Sequence, residues 1–207
     1  MVKFIHAADA HLGITYAGVG KSQKEIAREL KQAAFDAFER VIDTAIEEEV
    51  DALVLAGDLL DSSRTFVKEK LFLQSQLNRL APFGIPVIVA LGNHDAGSAY
   101  VSGEHIYTLG SAVETIEVET RNGERVAFSG FSYEVPVVAT RKVQEYPAKS
   151  ANCDIHIGVL HGELTTAQGR YAPFSIPELR EKGYDYWALG HIHTCHEVSS
   201  QPCAWYS

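Results

Sequence analysis

Leu53-Val54-Leu55-Ala56-Gly57-Asp58-Leu59-Leu60-Asp61 is the stretch that decides the fold. A short, unbroken apolar run that ends in a glycine reads as a strand buried on both faces. The carboxylate that follows then lies just past the strand's carboxyl end. The same design recurs along the chain. Phe4-Ile5-His6-Ala7-Ala8 leads into Asp9-x-His11, Val87-Ile88-Val89-Ala90-Leu91 into Gly92-Asn93-His94-Asp95, Ile157-Gly158-Val159-Leu160 into His161-Gly162, and Tyr186-Trp187-Ala188-Leu189 into Gly190-His191-x-His193. In open α/β sheets, ligands gather beyond the carboxyl ends of the strands. If these five strands share a sheet edge, or two facing edges, their five clusters converge on one place.

Between the strands the periodicity changes. From Ser22 to Glu49, apolar residues such as Ile26, Leu30, Ala34, Phe38, Val41 and Ile42 recur at helical spacing, with charged residues on the other side. A second helix is expected over Thr65–Leu80, stopped by Pro82 and Gly84. A third starts near Ser175, where Ser175 and Glu178 have capping-box spacing. Core strands are expected at Val2–Ala7, Ala52–Ala56, Pro86–Leu91, Ile155–Leu160 and Tyr186–Leu189. Val113–Glu119 and Arg125–Phe131, joined through Asn122-Gly123, read as a hairpin. Ala204-Trp205-Tyr206-Ser207 reads as a strand stopped mid-course, so the chain is expected to be cut from a longer protein. Residues 1–207 are then one enzymatic core without its C-terminal regions.

Composition narrows the class. With 46% hydrophobic and 22% charged residues, the chain can fill a core and carries no disordered bias. The N-terminus reaches Asp9 too soon for a signal peptide, and no apolar run approaches the length of a membrane span. Three cysteines without a CxxC pair fit idle thiols in a reducing cytoplasm. A net charge of −9 disfavours a generic nucleic-acid binder, which must neutralise phosphates with Lys and Arg. Part of that deficit, at Asp9, Asp58 and Asp61, is expected to be offset by bound cations.

The clusters have the chemistry of a metal centre. Two residues apart in extended backbone, Asp9 and His11 point to one side, as do His191 and His193. Asp9, His11, Asp58, Asn93, His161, His191 and His193 make seven donors, too many for one ion. Two ions sharing Asp58 as a bridge use all seven and leave room for a hydroxide. Carboxylate, amide and imidazole donors without thiolate suit Mn²⁺, Fe or Zn²⁺. Taken singly, each Asp or Asn after a strand reads as well as a helix or turn cap. Five clusters in this order do not. His6, His105, His156 and His196, outside the motifs, read as ordinary structural histidines.

These motifs, Asp9-Ala10-His11, Gly57-Asp58-Leu59-Leu60-Asp61, Gly92-Asn93-His94-Asp95, His161-Gly162 and Gly190-His191-Ile192-His193, resemble the calcineurin-like metallophosphoesterase superfamily over nearly the whole chain. Lys3–Gly13 and Gly57–Arg64 look closest to the SbcD-type subunit of double-strand-break repair nucleases, relatives of the Mre–Rad nucleases. The resemblance implies an α/β fold, a four-layer αββα sandwich of two mixed sheets. It implies one metal on Asp9, His11, Asp58 and His193, and a second on Asp58, Asn93, His161 and His191. The ions are expected to be Mn²⁺ first, with Fe, Zn²⁺ or Mg²⁺ as alternatives. His94 is expected to face the substrate and protonate the leaving oxygen, with the Asp61 carboxylate orienting its ring. Arg64 is placed on a substrate phosphate, with a solvated loop charge as its plain alternative. Asp61 departs from archaeal and eukaryotic nucleases, which carry His there. The capping and ATPase-binding regions of such nucleases do not fit before Ser207.

Three functions follow from the resemblance. The first is a metal-dependent DNA exonuclease core in double-strand-break repair, working with DNA, an SbcC/Rad-type coiled-coil ATPase and a second copy as a homodimer. The second keeps the chemistry on a small nucleotide or other phosphoester. The third is a non-catalytic metal-bearing scaffold, against which the complete donor set and His94 count. A protein phosphatase is disfavoured, because Ser62 follows Asp61 and Asp95 ends the third motif.

Overall fold

Strand β2 (Ala52–Ala56) is buried at every residue, and its alternation divides the interior. Leu53 and Leu55 pack with Phe35, Phe38, Ile42, Leu73 and Leu77, whereas Val54 and Ala56 pack with Ile88, Ala90, Phe128, Val159 and Ala188. The computed structural model that shows this describes residues 1–14, 24–61, 67–97 and 101–207. The first sheet orders β1 (Phe4–Ala7), β2, β3 (Val87–Ala90) and β4 (Ile106–Thr108), and α1 (Lys24–Glu47) and α2 (Val67–Asn78) cover its outer face. The second runs β5 (Glu114–Glu119), β6 (Arg125–Gly130), β7 (Ile155–His161), β8 (Tyr186–Gly190), β10 (Cys203–Tyr206) and β9 (His196–Ser200). Its outer face packs through Leu160, Trp187, Leu189 and Tyr206 onto Phe174 and Leu179, the latter from α3 (Ile176–Lys182). The result is the expected helix–sheet–sheet–helix sandwich, with small side chains such as Ala52, Ala56, Ala90 and Ala188 at the seam.

One expectation needs correcting. Both sheets were to be mixed, but every pairing in the first, among the described residues, is parallel. β4 lies alongside β3 in the same direction, from Val87↔Ile106 to Val89↔Thr108. The second sheet is mixed, antiparallel at β5–β6 and at β10–β9 and parallel between.

The elements start and stop for local reasons. Gly84 at φ 63° ends the turn of Ala81–Phe83 that follows α2, and Gly183 at φ 74° ends α3. At the head of α3 the Glu178 carboxylate accepts the Ser175 backbone N–H at 2.9 Å. The expected helix starts at Ser22 and Thr65, and the whole of Arg64, fall outside the described residues. Among the described residues, no helix is long and apolar enough to cross a membrane.

Candidate metal centre

The five clusters meet across the seam. β1, β2 and β3 deliver theirs from the first sheet, and β7 and β8 from the second. Parallel pairing continues past the strand ends: Asp9 N–H donates to Gly57 O, His11 N–H to Asp58 O and Leu12 N–H to Leu59 O, each at 2.9 Å. The loops after β7 and β8 join through Gly162 N–H to Gly190 O at 3.1 Å, and His191 N–H crosses to Asp9 Oδ2 at 2.9 Å. Backbone strain concentrates here. Asp9, His11, Asp58 and His191 hold φ of 53°, 41°, 52° and 104°, conformations that cost on the order of 1–3 kcal/mol each and persist only where surroundings enforce them.

Six of the seven expected donors bring a ligand atom into one small volume. His11 Nε2 lies 3.1 Å from His193 Nε2, 3.9 Å from Asp9 Oδ1 and 3.8 Å from Asp58 Oδ2, and His193 Nε2 lies 3.5 Å from Asp9 Oδ1. On the other side of Asp58, His161 Nε2 lies 3.3 Å from Asp58 Oδ2 and 3.1 Å from Asn93 Oδ1. His191, the seventh, places its ring 5.3 Å from that of His161, centroid to centroid. Its other face meets Tyr171 at 4.8 Å.

These atoms could hold a cation. The Ala56 carbonyl can only accept, so His161 Nδ1 at 2.9 Å carries the ring proton, and in the neutral ring Nε2 offers a lone pair. That lone pair, Asp58 Oδ2 and Asn93 Oδ1 are then three acceptors facing one another. Asp9 Oδ1 is buried with no hydrogen-bond partner. Burial raises the Asp9 pKa and lowers that of His11, and burial with the nearby His161 pushes His191 down to about 4. At Asp58 burial is outweighed by His161 and the His94 N–H, leaving its pKa lowered; at His161 the carboxylates outweigh burial and raise it. A divalent ion in either place gives the facing acceptors a common partner. Asp9, His11 and His193 form one donor group, Asp9, Asp58 and His161 another, and His11, Asp58 and His94 a third.

Glycines make room for this. A Cβ on Gly92 would collide with the Asp58 carboxylate and backbone, and one on Gly190 with the Ala56 carbonyl that holds His161.

His94 stands beside the donors, exposed, its ring 4.9 Å from that of His11. The means of orienting it differs from expectation. The Asp61 main-chain carbonyl, not its carboxylate, meets His94 Nδ1, at 2.6 Å. The Asp61 carboxylate faces His11 Nδ1 instead, at 3.6 Å. A two-residue spacing cannot distinguish these roles. The roles of three supporting residues left no sequence signal either. Tyr133 and Tyr206 donate their hydroxyls to the carbonyls of His161 at 3.1 Å and Gly162 at 2.8 Å, fixing the loop after β7. Asp95 holds the loops after β2 and β3. Of the motif-free histidines, His156 is buried and hydrogen-bonded at both ring nitrogens, as a structural residue should be.

Similarity to known proteins agrees with this geometry. The family described as calcineurin-like phosphoesterase matches residues 2–195. The uncharacterized metallophosphoesterase YhaO of Bacillus subtilis (strain 168) is 37% identical over 96% of this chain and 50% of its own length. The DNA double-strand break repair protein Mre11 of Methanopyrus kandleri is 25% identical over 93% of this chain and 44% of its own. The chain thus spans about half the length of the curated relatives it matches. Among solved structures, a dimetal phosphatase from Danio rerio superimposes with a TM-score of 0.55, at 13% identity, over 99% of this chain and 86% of that one. The chain belongs to the calcineurin-like phosphoesterase family.

Proposed function

We propose that the chain is the nuclease core of a DNA-processing phosphodiesterase of the SbcD type, with Mn²⁺ as its metal. What supports this is the pairing of donor groups that could hold metal ions with relatives named as double-strand break repair proteins over 93% of the chain. Asp9, His11, Asp58 and His193 would hold one ion, and Asp58, Asn93, His161 and His191 the other. Bound divalent ions supply Lewis acidity towards a phosphoryl oxygen and acidify water.

The chain's own residues do the rest. His94, with Nδ1 tied to the Asp61 carbonyl, keeps Nε2 for the substrate. The carbonyl can only accept, so Nδ1 carries a proton and Nε2 is the nitrogen placed to exchange one with the leaving oxygen. Arg170 lies 5.8 Å over the Tyr171 ring, and that ring lies against His191, so an exposed cation flanks the centre where a phosphate chain would run. On the same reading the protein works with an SbcC/Rad-type ATPase and as a homodimer.

The test compares wild type with His94→Ala on duplex DNA and on a generic phosphodiester, both with Mn²⁺. We expect two ions still bound and turnover lowered about 10²–10⁴-fold. Retained turnover would remove His94 from the chemistry. Hydrolysis of small phosphoesters without any cleavage of DNA would replace the nuclease with the small-substrate reading.

A further inference from the structure

The third motif ends on Asp95, a carboxylate with no exposed surface. It joins none of the donor groups found among the described residues. Its oxygens accept backbone N–H groups instead. Oδ2 takes those of Leu59 at 3.1 Å and Gly92 at 3.0 Å, and Oδ1 takes that of Leu60 at 2.9 Å. Leu59 and Leu60 directly follow Asp58, and Gly92 directly precedes Asn93. One side chain therefore ties the loop after β2 to the loop after β3. The His94 N–H, donated to Asp58 Oδ1 at 2.8 Å, closes the same tie from the other side.

This arrangement has a physical logic. A buried carboxylate must be compensated, and these three N–H donors contribute to that. The loop they hold is strained, with Asp58 at φ 52°. A strained loop relaxes unless its surroundings over-determine it. The Asp9–His11–His193 group keeps an anchor outside this clamp, through His191 N–H to Asp9 Oδ2. Asn93 and its placement against Asp58 depend far more on the loop after β3.

We propose that Asp95 is a positioning residue that fixes the distance between Asp58 and Asn93, and so prepares the second cation position before any ion arrives. The proposal rests on the two-ion reading of the site. Removing the clamp separates the two positions energetically: the first ion keeps most of its donors, and the second loses the alignment of its own.

Mn²⁺ titration of wild type and Asp95→Asn, followed by calorimetry and electron paramagnetic resonance, tests this. Asparagine keeps the size and one acceptor oxygen but turns an amide donor towards backbone N–H groups. Wild type should bind two ions with a spin-coupled signal. Asp95→Asn should keep wild-type far-ultraviolet circular dichroism and one ion of near wild-type affinity. Its second ion should bind roughly 10–100-fold more weakly, with the coupled signal lost at stoichiometric metal. Two ions of wild-type affinity and a coupled signal in Asp95→Asn overturn the proposal. Should that variant not fold, Asp95→Glu replaces it: the carboxylate is kept but displaced by a methylene, the same loss is expected, and wild-type binding again overturns it. Amide exchange in metal-free wild type needs no variant. Slow exchange at Leu59, Leu60 and Gly92 supports a preformed clamp, and free exchange at all three refutes it. A wild type that binds fewer than two ions sinks the two-ion reading instead, and amide exchange then decides for Asp95 alone.

Discussion

Asp58 gives its oxygens different duties. Oδ1 is pinned by the His94 N–H, and Oδ2 lies between His161 and His11, one from each side of the centre. Gly92 is what lets the loop after β3 come this close, because any Cβ there meets carboxylate and backbone, neither of which can yield cheaply. Gly92→Ala should therefore weaken Mn²⁺ binding at least about tenfold. It should also cost about 1–3 kcal/mol of stability from overpacking. Calorimetric titration beside urea unfolding checks both, and wild-type affinity would show the collision absorbed elsewhere. At this scale the sequence was legible where identity alone carries the chemistry, since a metal donor is recognised by residue type and its place after a strand. It was silent on the roles of Asp95, Tyr133 and Tyr206, whose partners are main-chain groups that every residue possesses. Asp61 fell between: its position was found, but not whether side chain or carbonyl would act.

Strands buried on both faces announced themselves through unbroken apolar runs, and β2 was read to the residue. Two strands went unread. β4 has only three residues, and β9, His196–Ser200, is polar and half-exposed at a sheet edge. Neither buries enough apolar surface to leave a pattern. β10 was legible as Ala204-Trp205-Tyr206, and the structure gives it a task. The Tyr206 hydroxyl donates to the Gly162 carbonyl in the buried loop after β7. Tyr206→Phe should leave that carbonyl unsatisfied and lower stability by about 1–3 kcal/mol, read from urea midpoints. An unchanged midpoint would mean that water replaces the hydroxyl.

The whole molecule should be sensitive to acid. Burial holds the pKa values of His156 and His6 down at about 4, against 6.5 for a free ring. Between these values the unfolded chain binds protons that the folded chain refuses. The contribution of these two rings to stability is therefore constant above pH 6.5 and falls as the pH drops towards 4, by up to about 1.4 kcal/mol per pH unit for each ring. Unfolding at pH 7.5, 6 and 5 should show this slope, and His156→Gln should reduce it. An identical slope in the variant would acquit His156. The layered architecture itself was expected from the motifs. That three clusters come from one sheet and two from the other was not, because sequence order does not say which strands share a sheet.

That division has a cost in the cell. Ions held at once by loops of both sheets would latch the sandwich shut, since whatever binds only the folded state stabilises it by mass action. A shortage of the cation would then withdraw more than turnover. The loosened seam raises the fraction of open chains that proteases can reach, so the number of molecules falls together with the activity of each.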